Sequence, residues 1–222
     1  MLYRVLQGTG AQFAVSGDGL IAAGYPDAVD EASCARRMGL ADLSVLPRTG
    51  FKGKDTPNWL QAREVLLPEA PNKARPQDDG ALVARLSWDE HMILGDLHER
   101  SALAHRLEGQ WQIDPELRCY HMPRAHSHCR LLLSGEATPE MLAKVCGVDL
   151  RPSRFADDDV AQTSVARINA IVIRHDLGET LAYHVLADSA SAEYLCSCLL
   201  DAMGEFDGRP VGLNALRDLA GA

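Results

Sequence analysis

The sequence predicts an α+β protein built of two pseudo-repeated βαββα lobes, each close to half of a ferredoxin-like unit, and three observations carry that prediction. First, Gly53-Lys54-Asp55-Thr56-Pro57-Asn58-Trp59-Leu60 recurs as Gly135-Glu136-Ala137-Thr138-Pro139-Glu140-Met141-Leu142, an offset of 82 residues, and Val83-Ala84-Arg85-Leu86 recurs at the same offset as Val165-Ala166-Arg167-Ile168. Second, His91-Met92-Ile93-Leu94-Gly95-Asp96 is echoed by His184-Val185-Leu186-Ala187-Asp188, displaced by about ten more residues, as a longer loop in the second copy would do. Third, both copies read as strand, helix, hairpin, helix, which suits a small antiparallel sheet with its helices on one face. Two copies are too few for a solenoid, so a closed pair is expected. The expected lobes are 1–112, an N-terminal extension plus the first repeat, and 113–222, the second repeat, packed as one compact unit.

In the first copy, residues 30–38 suit a short helix and 41–46 and 49–52 suit strands. Thr56-Pro57 starts a helix, because proline fixes φ and gives up an amide that the first turn does not use. Residues 72–79 form a polar loop, 83–86 and 91–94 form a hairpin across Ser87-Trp88-Asp89-Glu90, and 97–107 form the closing helix. The joining segment 108–123 carries Trp111 and Tyr120 and is expected to be packed. In the second copy, Cys129-Arg130-Leu131-Leu132-Leu133 is a buried strand ended by Ser134-Gly135. Thr138 offers an N-cap oxygen with Pro139 at the first helical position, and that helix stops near Cys146-Gly147. After a Pro- and Asp-containing loop at 151–159, the β-branched run 165–174 suits a central strand packed on both faces. Asp176-Leu177-Gly178 turns into an alternating strand at 181–185. A helix over 190–206, capped by Asp188 or Ser189, then carries Leu195, Leu199, Ala202 and Phe206 along one stripe.

A formal net charge of −9 and a pI near 5.3 give no basic footprint for nucleic acid or an anionic membrane, and a partner with a basic face fits better. No stretch approaches the ~20 apolar residues of a membrane span, and Met1-Leu2-Tyr3-Arg4-Val5-Leu6-Gln7 is too polar for a secretory signal, so the expected location is cytoplasmic. The six cysteines, at 34, 119, 129, 146, 196 and 198, lack CxxC spacing and read as reduced thiols.

Cys119, His121, His126, His128 and Cys129 place soft donors within eleven residues and resemble a zinc site in composition. They lack a standard ligand spacing, and His126, His128 and Arg130 alternate with Ser127 and Cys129 as an entering strand would, so no metal is assigned. Asp78-Asp79 and Asp157-Asp158-Asp159 sit near matching points of the two copies, and a general acid or base there would need burial or a charge partner to tune it. Cys34 and Cys146 lie near the ends of expected short helices, where the dipole disfavours a thiolate. Gly8-Thr9-Gly10 is followed by no GK[ST] phosphate cradle, and Gly17-Asp18-Gly19 suits a turn. No triad is arguable, and neither a catalytic, a cofactor-binding nor a metal residue is assigned. A non-catalytic subunit or binding module is the leading class.

Leu132-Leu133-Ser134-Gly135, then Leu142-Ala143-Lys144-Val145-Cys146-Gly147-Val148-Asp149-Leu150-Arg151-Pro152, Phe155 and Ala161-Gln162-Thr163-Ser164-Val165-Ala166-Arg167, resemble the gamma-subunit family of heterotetrameric sarcosine oxidases. Gly39-Leu40-Ala41-Asp42-Leu43-Ser44, Lys52-Gly53 and Trp59-Leu60 are similar to the opening of the folate-binding aminomethyltransferase domain of the glycine-cleavage T-protein, of which gamma subunits look like a shortened relative. The resemblance spans roughly residues 35–215 and implies an aminomethyltransferase folate-binding-domain-like fold. It further implies a non-catalytic subunit, without a cofactor of its own, in a complex that oxidises an N-methyl amino acid and passes the one-carbon unit to tetrahydrofolate. In that family the alpha subunit carries the dinucleotide (NAD) and folate sites and is the direct partner of gamma. The beta subunit carries FAD and shares FMN with alpha, and delta binds zinc.

The T-protein's catalytic aspartate lies in an Asp-Asp pair before a Val/Ile-rich strand. The nearest match here is Asp78-Asp79-Gly80-Ala81-Leu82-Val83, and with Arg85-Leu86 in register a glycine occupies one of the pair's positions. The alternative function is a stand-alone tetrahydrofolate-binding aminomethyltransferase-like protein. A relative of the folate-dependent iron–sulfur assembly factor would show a cysteine where this chain has Phe51-Lys52-Gly53-Lys54. For a subunit, the expected partner-facing elements are the Trp59 helix and segment 111–128, since exposed aromatics commonly anchor interfaces.

Overall fold

A computed structural model describes residues 10–26 and 30–221. In chain order the elements are β1 (Gln12–Ser16), β2 (Gly19–Gly24), α1 (Glu31–Met38), β3 (Gly39–Asp42), β4 (Arg48–Lys52), α2 (Thr56–Gln61), β5 (Lys73–Pro76), β6 (Leu82–Ser87), β7 (Glu90–Leu94), α3 (Leu103–Gln110) and β8 (Tyr120–His121). They continue with β9 (His128–Ser134), α4 (Thr138–Leu142), β10 (Val160–Val165), β11 (Ile168–Arg174), β12 (Ala182–Asp188), α5 (Ala192–Met203), β13 (Arg209–Pro210) and α6 (Leu213–Ala220). Contacts divide the described residues into two units, one running up to Val45 with His128–Asp157 and Ala161 onward, the other Leu46–Ser127 with Asp158–Val160. This division differs from the expected 1–112 and 113–222. Its cause is strand pairing: β3 bonds to β9 and so joins the first unit, while β8 bonds to β4 and joins the second.

The first unit holds a six-stranded sheet in the order β10-β11-β12-β9-β3-β13 and the β1-β2 hairpin. Leu131, Leu133, Val172, Tyr183 and Val185 of the sheet share a core with Met141 and Leu142 of α4 and Leu195, Leu199 and Met203 of α5. Along β12, every residue from Ala182 to Ala187 is buried, because the strand lies between β11 and β9 and both of its faces are covered. The alternation read from 181–185 therefore does not mark an exposed face. The second unit holds a five-stranded sheet in the order β5-β6-β7-β4-β8, and its core joins Phe51, Val83 and Ile93 to Trp59 and Leu60 of α2 and Leu103 and Leu107 of α3.

The α+β class holds, but each copy of the βαββα order contains one strand more than expected, β5 in the first and β10 in the second, and further strands widen the sheets to five and six. The run 165–174 is not a single strand: Val165 ends β10, Ile168 begins β11, and Ala166 and Arg167 between them have φ of 49° and 67°. Two consecutive positive φ values are the geometry of a tight hairpin turn. In the second unit, the expected polar loop at 72–79 contains β5, which pairs Ala74 with Ala84. The repeated peptides therefore behave differently. Gly53 and Gly135 both have positive φ, and each carbonyl accepts the amide three residues on, Thr56 at 2.9 Å and Thr138 at 3.1 Å. By contrast, Val83–Leu86 lies inside β6 while Val165–Ile168 is a turn. His91 lies opposite Phe51 and His184 opposite Leu132, and counted from the two glycines these positions are one residue out of step.

Several boundaries move for identifiable reasons. β3 stops at Asp42 because its carboxylate accepts the Ser44 amide at 2.9 Å, so the strand expected at 41–46 is shorter. α3 starts at Leu103 rather than 97 because Asp96 accepts the amides of His98 and Ser101, a local turn that competes with a helix. Thr138 is the first helical residue of α4 rather than its cap, and its buried hydroxyl faces the Met38 sulfur at 3.8 Å. Asp188 does cap the start of the last long helical stretch, accepting the Ala190 amide at 2.8 Å.

His91 on β7 is fully buried, and neither ring nitrogen has a hydrogen-bond partner. Burial, with the Arg85 charge second, pushes its imidazole down from 6.5 to about 4. In the unfolded chain it titrates near its ordinary value, so the unfolded state binds the extra proton between about pH 6.5 and 4. The neutral imidazole therefore contributes stability that is complete above pH 6.5 and is lost as the pH falls towards 4, on the order of 3 kcal/mol in total. His184, also buried, shifts in the same direction. Replacing His91 by leucine is expected to raise the melting temperature at pH 5 and flatten its slope between pH 7 and 4.5; an unchanged slope would remove His91 as the cause.

Candidate interaction surface

The residues singled out for metal chemistry are placed apart. Cys119 is buried among Phe51, Trp59 and Leu60, and burial pushes its thiol up. His121 bonds Thr49 Oγ1 through Nε2 at 2.8 Å, with its ring 5.3 Å from Phe51 and 5.7 Å from Trp111. Cys129 is fully buried within β9. No three of Cys119, His121, His126, His128 and Cys129 bring ligand atoms within 4.8 Å of one another.

Three of the candidate aspartates have structural work. Asp79 accepts the Ala81 amide on one oxygen and the Ser101 hydroxyl on the other, at 3.1 and 2.7 Å. Asp157 accepts the Asp176 amide at 2.9 Å, and Asp159 is paired with Lys73. Cys34 lies within α1, and Cys146, expected near a helix end, follows α4 and bridges to Val165. All six thiols are unbridged. Gly17 makes the β1-β2 turn with φ of 53°, while Gly8 and Thr9 lie outside the described residues. A shallow depression over β9 to β12 is lined by His128, Gln162, Thr163, Ser164 and Asn169, with no carboxylate or thiol among its lining residues.

What remains is surface. Trp59, expected to face a partner, is only 7% exposed; it packs 4.9 Å from Phe51, and the Arg63 guanidinium covers its ring at 3.8 Å. The Pro57-anchored helix turns this side chain into the core, which the sequence pattern alone did not separate from an exposed face. Segment 111–128 is packed, with Trp111 donating its indole N–H to the Cys119 carbonyl at 2.8 Å, but it leaves Ile113 and Tyr120 exposed. Val15 and Leu20, cross-strand partners on the first hairpin, are also exposed.

The residue that sequence reasoning passed over is Trp88, 63% exposed on the β6-β7 turn. Its only signal was a large aromatic in a turn that otherwise favours small polar residues. Arg85 lies over its ring at 4.6 Å, and donates to the Pro68 and Trp88 carbonyls at 2.9 and 3.1 Å. No described helix is long and apolar enough to cross a membrane.

No family model matches the chain. Among solved structures, it is similar to a chain of the heterotetrameric sarcosine oxidase from Corynebacterium sp. U-96 in complex with pyrrole 2-carboxylate, with a TM-score of 0.64 and 24% identity over 82% of this chain and 93% of that one. It is also similar to the glycine cleavage system aminomethyltransferase T from Bartonella henselae, with a TM-score of 0.77 and 18% identity over 99% of this chain but 60% of that one. At those identities the likeness is one of fold. Among curated proteins, the sarcosine oxidase subunit gamma of Corynebacterium sp. (strain P-1) is 36% identical over 193 residues, 83% of this chain and 89% of that protein. On that relation the chain belongs to the family of sarcosine oxidase gamma subunits.

Proposed function

We propose that this chain is the non-catalytic gamma subunit of a heterotetrameric, sarcosine oxidase-like complex of the cytoplasm. The complex oxidatively demethylates an N-methyl amino acid and passes the one-carbon unit to tetrahydrofolate. Gamma packs directly against alpha; FAD, FMN, NAD, tetrahydrofolate and zinc are held by alpha, beta and delta. The observation that carries this reading is the extent of the match to a gamma subunit, 83% of one chain and 89% of the other. The site chemistry supports it: Asp79, in the nearest match to the aminomethyltransferase Asp-Asp pair, accepts the Ala81 amide on one carboxylate oxygen and the Ser101 hydroxyl on the other.

Calorimetric titration of the isolated chain with tetrahydrofolate tests the non-catalytic assignment. The expected result is no saturable heat, together with no oxidation of an N-methyl amino acid by the chain alone. Saturable binding in the micromolar range would favour the stand-alone aminomethyltransferase-like function instead.

A further inference from the structure

Of the chain's three tryptophans, Trp59 is buried and Trp111 spends its indole N–H on Cys119, whereas Trp88 leaves most of its ring in solvent and its indole N–H without a partner among the described residues. Nothing in the turn calls for a tryptophan. Ser87 pairs with Glu90, so Trp88 and Asp89 form a two-residue loop, and neither has the positive φ of the turns preferred there. An irregularity between Arg85 and Ser87 takes up the mismatch.

The loop is nevertheless held from several sides. Asp89 accepts the Gly53 amide at 2.8 Å through its carbonyl and the Ser87 hydroxyl through its carboxylate. Glu90, next in the chain, is clamped by Lys52 and Arg124, each at 2.7 Å. Arg85 ties the Trp88 carbonyl to the Pro68 carbonyl while lying over the indole ring. An exposed indole whose backbone is fixed in advance loses little further freedom on binding, and tryptophan and arginine are the residues that most often carry interface energy.

We propose that the Trp88 turn is the anchor by which this chain docks on another subunit of its complex, inserting the indole into an apolar socket with a basic rim. This rests on the gamma-subunit reading. Charge selects the occupant. Asp89 follows Trp88 in the loop, exposed Glu69 follows Pro68, whose carbonyl shares Arg85 with that of Trp88, and the chain as a whole carries −9. A second copy would bring like charge against these acids, whereas a different subunit can supply cations around the socket.

The test compares tagged full-length chain with its Trp88→Ala and Trp88→Phe variants, each as the sole copy in native cells. The readout is flavin absorbance recovered per mole of tagged chain, with co-eluting polypeptides identified by mass. Because the side chain is solvated, the melting temperature of the variants is expected to match the wild type, which separates docking from folding. Trp88→Ala is expected to weaken docking at least about 30-fold, and so to lose most of the flavin, with Trp88→Phe in between. Full flavin recovery with Trp88→Ala would overturn the anchor while leaving the subunit reading in place. Wild-type chain that elutes without flavin would overturn both, and a wild-type homodimer split by Trp88→Ala would overturn the assignment in favour of a second copy.

Discussion

Gly135→Ala is expected to remove a large part of the protein's stability. Gly135 has φ of 105°, a region that side chains avoid, and a Cβ built there meets the Arg37 carbonyl carbon at 2.4 Å and its oxygen at 2.5 Å. These are backbone atoms, and they cannot retreat freely: the Glu136 and Ala137 amides donate to the Arg36 and Arg37 carbonyls at 2.9 and 3.0 Å. Backbone strain of about 1–3 kcal/mol adds to an overpacking cost of about 1–3 kcal/mol or more, against a total stability of about 5–15 kcal/mol. Gly53→Ala meets the same obstacle, with φ of 133° and the Arg118 carbonyl oxygen 2.1 Å from the added carbon. Gly109→Ala is the control, since an added Cβ in α3 meets nothing within 4 Å, and it is expected to stabilise by about 0.5–1 kcal/mol. Thermal melts of the three variants decide the matter, and a Gly135→Ala protein melting within a few degrees of wild type would show that the close approach is not rigid.

The second large effect is expected at Arg174. Its guanidinium grips Asp176 with two bonds, 3.0 and 2.6 Å, and donates a third to the Phe155 carbonyl at 2.7 Å, with both side chains largely out of solvent. The pairing and the neighbouring charges hold the Arg174 pKa above its ordinary value. Arg174→Met keeps the apolar stem but strands a carboxylate that still orients the Ala182 amide, an expected loss of about 3–5 kcal/mol. An Arg174→Met/Asp176→Leu double variant should recover most of that loss, because an apolar pair of similar volume pays no charge desolvation. Urea midpoints give both numbers. A single-variant loss below about 1 kcal/mol would mean that solvent reaches the pair far more than its exposure indicates.

Why some elements were legible and others were not follows from the residues. The glycine and Thr-Pro signals at 53–57 and 135–139 locate α2 and α4 because both act through local backbone geometry. The hairpin joining β10 and β11 was hidden because Ala166 and Arg167, rather than Asn-Gly, occupy its positive-φ positions, and that conformation is imposed by the sheet on either side. β5 was hidden because its Lys73, Arg75 and Pro76 are exposed, as edge strands commonly are. The delayed start of α3 depends on the Asp96 carboxylate reaching the amides of His98 and Ser101, a competition that helix propensity does not register. At the surface, the tryptophan expected to face a partner is buried, and the exposed one lies in a turn for which no exposure was expected. Trp59 follows the amphipathic rule and goes inside, while Trp88 stays 63% exposed with Arg85 over its ring.

The measurement that bears most directly on the subunit assignment is mild affinity purification of the chain from its native cells, followed by an absorbance spectrum and mass identification of what co-elutes. A yellow assembly containing three further polypeptides, among them the flavin-bearing subunit, is the predicted result. A colourless monomer with no associated flavoprotein would contradict it.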